Sequence, residues 1–375
     1  METTTPGDAH VPENEPLPSL DELLHKLISI NGSDLHLKVG SPPAFRIDGV
    51  LHLSNLEKLS PQDTERFLDE IMPPRMRPEF EATNEADFAY GKASLGRFRV
   101  NCYRQRGSIN VVVRAVHPAS GEFSSLGLPS VVERLANEQR GLILVTGPTG
   151  SGKTTTVGAI IDHINANRRV NIITLEDPIE ILHPDKLAIV SQREVGVDTA
   201  SFHEGLRRIL RQDPDVIFIG EMRDAETVEA ALKAAETGHL VLSTLHTGDA
   251  PETISRIIEF FPPYQERQVR QVLAMSLKGV ISQRLLPRAD GQGRVPAVEV
   301  LVNTERVFDR IVDPEQTHTL PEVIADGDFY GMQTFDQALM KLYASGEVTF
   351  QDALVHASDA TDFKLAAQNR GLMSA

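Results

Sequence analysis

The sequence predicts an α/β protein, a mostly parallel sheet flanked by helices and preceded by a smaller α+β domain. Three observations predict it. Apolar runs at 142–146, 171–175, 216–219, 240–244 and 295–301 alternate with helix-length segments from about residue 130 onward, the pattern of strands buried on both faces. The preceding stretch carries alternating strand-like pieces and tight-turn residues instead. Between the two, residues 117–129 bring Pro, Ser and Gly together as a linker.

Taken in order, residues 1–18 are polar, Pro-rich and acidic, and are expected to be a disordered tail. Helical periodicity starts with Leu20, Leu23, Leu24, Leu27 and Ile28 on one face, and Asn31-Gly32 ends it. Strands are predicted at 35–39, 44–47 and 50–53, with Asp48-Gly49 as the hairpin turn between the last two. A helix around 61–71 and strands near 87–90, 96–103 and 108–116 complete an α+β domain over 19–116. The second domain spans 130–375, with a helical part from about residue 303.

Charged residues make up 24% of the 375 and apolar ones 41%, an ordinary soluble globular mix. The formal net charge of −16 argues against a non-specific nucleic-acid binder, which needs basic surface to displace counterions. With one cysteine, Cys102, an intrachain disulfide or a four-cysteine zinc site cannot form. The first residues show no basic and apolar leader pattern, and no apolar stretch reaches membrane-spanning length. The expectation is a cytoplasmic protein with no direct membrane insertion.

The densest signal is Gly147-Pro148-Thr149-Gly150-Ser151-Gly152-Lys153-Thr154, a complete phosphate-binding loop pattern. It follows an apolar strand and precedes a segment, Thr155 to Ile164, with Val157, Ile160, Ile161 and Ile164 on one stripe. That order aims backbone N–H groups and a helix N-terminus at a phosphate chain. Lys153 is placed for the β- and γ-phosphates and the Thr154 hydroxyl for Mg²⁺, so ATP and Mg²⁺ are the expected ligands, with Thr155 continuing the loop.

Ligands of open α/β sheets sit at the carboxyl ends of strands. Strand 171–175 ends in Glu176-Asp177-Pro178-Ile179-Glu180, which puts Glu176 and Asp177 near the γ-phosphate and metal. Asp215 to Glu221 is a strand ending in a carboxylate, the shape of a Walker B motif, with Gly220 where a metal-holding acidic residue is usual. Glu221 is then the candidate to orient or deprotonate the attacking water. The metal is left to Thr154, phosphate oxygens and water, with Glu176 in reach. His246, just past strand 240–244, is either a structural histidine or a phosphate contact. Arg97 and Arg99, two apart on a strand, share a face, and Arg104, Arg106 and Arg114 are nearby. They suit either an anion or a solvated edge with surface ion pairs.

Together these pieces resemble the secretion ATPase superfamily, and within it the type IV pilus retraction (PilT-like, twitching motility) ATPases, from about Leu20 to about Ala353. The carriers are Gly32-Ser33-Asp34-Leu35-His36-Leu37 with Pro42-Pro43, Arg46-Ile47-Asp48-Gly49 and Gly96 to Asn101. Three boxes join them: Thr174 to Glu180 is similar to the Asp box, Gly220 to Asp224 to the Walker B motif, and Thr237 to Leu240 with Thr244 to Thr247 to the His box. The resemblance implies a RecA-like P-loop ATPase domain behind a PAS-like N-terminal domain, assembled as a homo-hexamer. It implies ATP hydrolysis with Glu221 as catalytic base, Glu176 as Mg²⁺-linked support, His246 as phosphate sensor, and Arg97, Arg99 and Arg114 as charge-stabilising arginines.

The function so implied is a hexameric motor that powers pilus retraction through an inner-membrane platform protein, held at the inner face of the membrane by that partner. Competing readings are a secretion or pilus-extension ATPase of the same superfamily, and a RecA-like nucleic-acid translocase, which the net charge disfavours. One departure stands out. Where the retraction family has an Ala-Ile-Arg-Asn-Leu type segment, this chain has Thr304-Glu305-Arg306-Val307-Phe308-Asp309-Arg310-Ile311.

Overall fold

The computed structural model describes residues 17–47, 49–92, 95–116 and 123–372. The tail expected over 1–18 falls almost wholly outside them, as do Asp48 of the expected hairpin turn and residues 117–122 of the expected linker. The chain divides into two compact units, Met1–His117 and Pro118–Ala375.

The first unit opens with α1 (Leu20–Ser29), started by a capping box in which Ser19 and Glu22 satisfy each other's backbone N–H. Its four leucines, Leu20, Leu23, Leu24 and Leu27, are buried. Strands β1 (Asp34–Lys38), β2 (Ala44–Ile47) and β3 (Val50–Leu53) follow, then α2 (Pro61–Ile71), α3 (Arg77–Thr83), β4 (Glu85–Lys92), β5 (Gly96–Gln105) and β6 (Ser108–Val116). They make a six-stranded sheet of order β3-β2-β1-β6-β5-β4 with antiparallel neighbours. Alternate residues of β5, namely Phe98, Val100 and Cys102, point into the core. Cys102 is buried, and desolvation pushes its thiol up to about 11, so it packs as an inert apolar side chain.

The second unit contains α4 (Ser130–Ala136), β7 (Gly141–Thr146), α5 (Lys153–Asn167), β8 (Asn171–Glu176), β9 (Ile189–Glu194), α6 (Phe202–Ile209), β10 (Val216–Ile219) and α7 (Ala225–Glu236). Then come β11 (Leu240–Leu245), α8 (Ala250–Glu259), α9 (Glu266–Ser276), β12 (Leu277–Pro287) and β13 (Arg294–Val302). Helices α10 (Glu305–Val312), α11 (Leu320–Ala325), α12 (Phe335–Ala344), α13 (Phe350–His356) and α14 (Ala360–Asn369) close the chain. The sheet has the order β13-β12-β7-β11-β10-β8-β9, all parallel except the β12–β13 pair. Strands β7, β10 and β11 are buried at every position, as apolar runs without alternation require. One apolar cluster fills each face of this sheet, and a third lies among α12, α13 and α14.

Two strands escape the apolar-run reading. The edge strand β9 begins Ile189-Val190 and then turns polar through Ser191-Gln192-Arg193-Glu194, so it has no sustained apolar run to show. Strand β12 is interrupted in sequence by Ser282, Gln283 and Arg284, the first two of which are buried. Burial of Gln283 is offset by its bond to α5, a tertiary contact that local pattern does not encode.

Candidate nucleotide-binding site

The parallel strands β7, β8, β10 and β11 all end at one edge of the sheet, where a cleft of about 550 Å³ opens. Its floor is the glycine loop between β7 and α5. Gly147 has φ 142°, and a Cβ there would lie 2.4 Å from the Gln283 carbonyl oxygen and 2.5 Å from Ser151 Oγ. No side chain fits at that position. Gly152 precedes α5 with φ 94° and no side chain caps the helix, an arrangement in which the first N–H groups of a helix can donate to an anion. Loop residues Thr149, Gly150, Gly152, Lys153, Thr154 and Thr155 line the cleft, while Ser151 is buried and Pro148 opens on an adjoining cavity.

Lys153 is almost fully buried, and its Nζ donates to the carbonyls of Gly147 at 2.7 Å and Pro148 at 3.0 Å. Burial lowers its pKa, and the neighbouring Glu221 and Glu180 carboxylates work the other way. The Thr154 hydroxyl donates to Glu180 Oε2 at 2.7 Å. Glu176 lines the same cleft but accepts through Oε1 from Thr174 and Gln192, at 2.7 and 3.0 Å. Burial raises its pKa, against those hydrogen bonds. The carboxylate in contact with Thr154 is therefore Glu180, four residues beyond Glu176.

Glu221 is set by a lattice of bonds at the end of β10. Gly220 N–H donates to the Leu175 carbonyl at 2.8 Å, and Thr244 Oγ1 donates to the Gly220 carbonyl at 2.7 Å. A Cβ on Gly220 would stand 3.3 Å from that same Leu175 oxygen, a tight approach for any side chain. The Glu221 carboxylate meets His246 Nε2 at 3.3 Å through one oxygen and the Arg223 guanidinium through the other. His246 thus joins the cleft by way of Glu221. The other histidine of the same motif, His239, sits at the end of α7 with Nδ1 2.9 Å from the Ala234 carbonyl.

Arg46, Arg97, Arg99 and Arg114 of the first unit share one sheet face. Arg99 of β5 stands directly opposite Arg114 of β6. Arg114 Nε donates to the buried Asp34 at 2.8 Å, and Arg46 lies 3.7 Å from the same carboxylate. Burial pushes Asp34 up, but its bonds from Arg114 and Ser33 outweigh this and hold it below the usual carboxylate range. Arg114 is therefore committed to an internal pair, and Arg97 and Arg99 are half-buried on the adjacent strand.

Arg223, Glu180 and Gln283 are site residues that sequence reasoning does not single out. Glu180 stood in the acidic run after β8 and carried a signal. Gln283, whose Nε2 donates to Thr156 Oγ1 at 2.9 Å, carried none.

Residues 17–321 match the protein family described as Type II/IV secretion system protein. The chain belongs to the type II/IV secretion ATPase family. It is an ATP-hydrolysing enzyme of the PilT group, with the mixed α/β fold and P-loop domain of its structural neighbours. It is similar to the Pseudomonas aeruginosa type IV pilus ATPase PilU, at 41% identity over 92% of this chain and 90% of the relative. The type IV pilus retraction ATPase PilT of the same organism is also 41% identical, over 89% of this chain and 96% of the relative. A crystal structure of the pilus retraction motor PilT with bound ADP superposes with a TM-score of 0.85 at 45% identity, over 93% of this chain and all of that one. The Legionella pneumophila ATPase DotB gives 0.77 at 27% identity, over 93% of this chain and 95% of that one.

Proposed function

We propose that this secretion-family ATPase is a motor for type IV pilus retraction, working as a homo-hexamer on an inner-membrane platform protein from the cytoplasmic side. What carries the reading is near-full-length identity to a named retraction ATPase together with a complete phosphate loop facing Glu221. Among the described residues no helix is long and apolar enough to cross a membrane, so attachment through a partner fits the chain. A secretion motor is the competing reading. Type II secretion system protein E of P. aeruginosa is 37% identical, over 71% of this chain and 53% of that protein.

The proposed chemistry follows from the residues. Loop N–H groups from Gly147 to Thr155 cradle the phosphates, and Lys153 leaves its two carbonyl partners for the β- and γ-phosphate oxygens. Thr154 and Glu180 offer the hard oxygen donors that Mg²⁺ takes, with Glu176 behind them. Bound Mg²⁺ would neutralise charge on the phosphate oxygens. Glu221 orients and deprotonates the attacking water, and His246, touching it, senses the terminal phosphate. Arginines of the N-terminal domain, over 19–116, supply further positive charge, with Arg97, Arg99 and Arg114 on β5 and β6 as the candidates. Nucleic acid is not a partner in this scheme.

The test combines two measurements. Specific ATPase activity should fall at concentrations where light scattering sees monomer, because a cation from another subunit completes the site and is worth roughly 10³–10⁵ in rate. A deletion strain should regain twitching with the wild-type chain and not with Glu221→Gln. Monomer that hydrolyses ATP at full rate counts against the ring, and a strain that twitches without the gene counts against the retraction role.

A further inference from the structure

Arg223 lies two residues beyond Glu221 and forks between two carboxylates. One guanidinium nitrogen is on Glu221 Oε1, and the other stands 3.9 Å from Asp177 Oδ2, on the acidic loop after β8. The second Glu221 oxygen stands 3.3 Å from His246 Nε2. Each oxygen of the water-activating carboxylate therefore has a neighbour. A lone pair remains on each, but a guanidinium held on the carboxylate crowds the approach of water and stabilises the charged form, so the group is a poorer proton acceptor while Arg223 stays on it.

The three groups differ in freedom to move. The Glu221 side chain is 15% exposed and the backbone just before it is held by Thr244 on Gly220, whereas the Arg223 side chain is 62% exposed. Asp177 is 44% exposed and within a small rotation of the same guanidinium. A shift of about 1 Å turns the long contact with Asp177 into a hydrogen bond and opens the one with Glu221. Arginine suits such a two-ended role, because its fork binds one carboxylate at each side.

We propose that Arg223 is a latch: on Glu221 it masks the base, and on Asp177 it releases it. Arg223 is a positioning residue, acting on the reaction only through Glu221. The inference rests on the reading of Glu221 as the base.

Steady-state ATPase assays on the full chain test it as a two-residue cycle. Asp177→Asn removes the release position, so kcat should fall by about tenfold while KM for ATP changes by less than about twofold. Arg223→Ala removes the mask and should raise kcat severalfold, and Arg223→Lys should fall between it and the wild type. The double variant should match Arg223→Ala, because without the latch the Asp177 carboxylate has nothing to receive. If Asp177→Asn costs as much with Ala at position 223 as with Arg, the latch is wrong. A fall in kcat for Arg223→Ala also overturns it. Glu221→Gln run alongside separates the two ideas: full turnover there sinks the base itself, whereas an inactive Glu221→Gln with additive penalties sinks only the latch.

Discussion

The Thr154 hydroxyl donates to Glu180 Oε2, tying the second residue of α5 to the acidic loop after β8. This bond places a carboxylate where the metal of a nucleotide complex would meet the loop hydroxyl. Glu180→Gln should therefore raise the Mg²⁺ concentration for half-maximal ATPase activity by roughly tenfold, as expected for loss of one charged oxygen donor. Glu176→Gln should shift it less, since Glu176 is already held by Thr174 and Gln192. A Mg²⁺ titration of both variants decides between the two carboxylates, and a larger shift for Glu176→Gln would reverse the assignment.

Lys153→Ala removes the one buried cation of the loop. Nucleotide affinity should drop at least about tenfold, the scale of losing a charge-assisted contact. Fluorescent-nucleotide titration measures it, and wild-type affinity would contradict the placement of Lys153.

Gly220 invites restoration of the missing acidic residue, and the fold leaves little room for it. Gly220→Asp should not strengthen Mg²⁺ binding. Its Cβ would press on the Leu175 carbonyl and the Glu176 backbone, a crowding worth roughly 1–3 kcal/mol, read as a lower Tm. An unchanged Tm with tighter Mg²⁺ binding would show that the backbone yields.

Glu299 of β13 accepts a 2.8 Å bond from Ala250 N–H at the start of α8, and burial pushes its carboxyl up to about 7 from 4.5. The native state thus binds a proton that the unfolded chain releases near pH 4.5. The stability from this group is present below that pH and is lost as pH rises through about 7, by on the order of 3 kcal/mol. Thermal denaturation from pH 5 to 8 should show Glu299→Gln losing less stability than the wild type. Parallel curves would mean that Glu299 is charged throughout.

The α10 segment separates its two arginines. Val307 and Ile311 are fully buried, so the helix is a packed part of its own unit. Arg306 is exposed and faces Asp326 at 3.7 Å, whereas Arg310 is half-buried and bonds Gln316. Arg306→Glu should change Tm by less than about 1 kcal/mol equivalent, as exposed pairs do, and leave ATPase activity intact while pilus-dependent movement is lost. Arg310→Glu should lower Tm. Normal twitching with Arg306→Glu would remove this surface from force transmission.

The phosphate loop, the strand ends at Glu176, Glu221 and His246, and the helix face of α1 were all legible in order of sequence. Each is a local pattern: glycines at fixed spacing, apolar runs ending in a polar residue, leucines on one stripe. The parallel sheet then brings the strand ends together, because every parallel strand ends at the same edge. Strand β9 was not legible, because four of its six residues are polar, and β12 was hidden by the polar Ser282-Gln283-Arg284.

The sequence by itself determined the class of protein, the glycine loop with the phosphate-binding pattern and two of the carboxylates around it, Glu176 and Glu221. Tertiary structure decided which neighbours each carboxylate touches. Glu176 and Glu180 are alike in sequence, but only Glu180 reaches Thr154, because Glu176 turns toward Thr174 and Gln192 of the neighbouring strand. His246 becomes a partner of Glu221 only when β10 and β11 lie side by side. Such contacts depend on register between strands far apart in the chain, and no local spacing encodes that register.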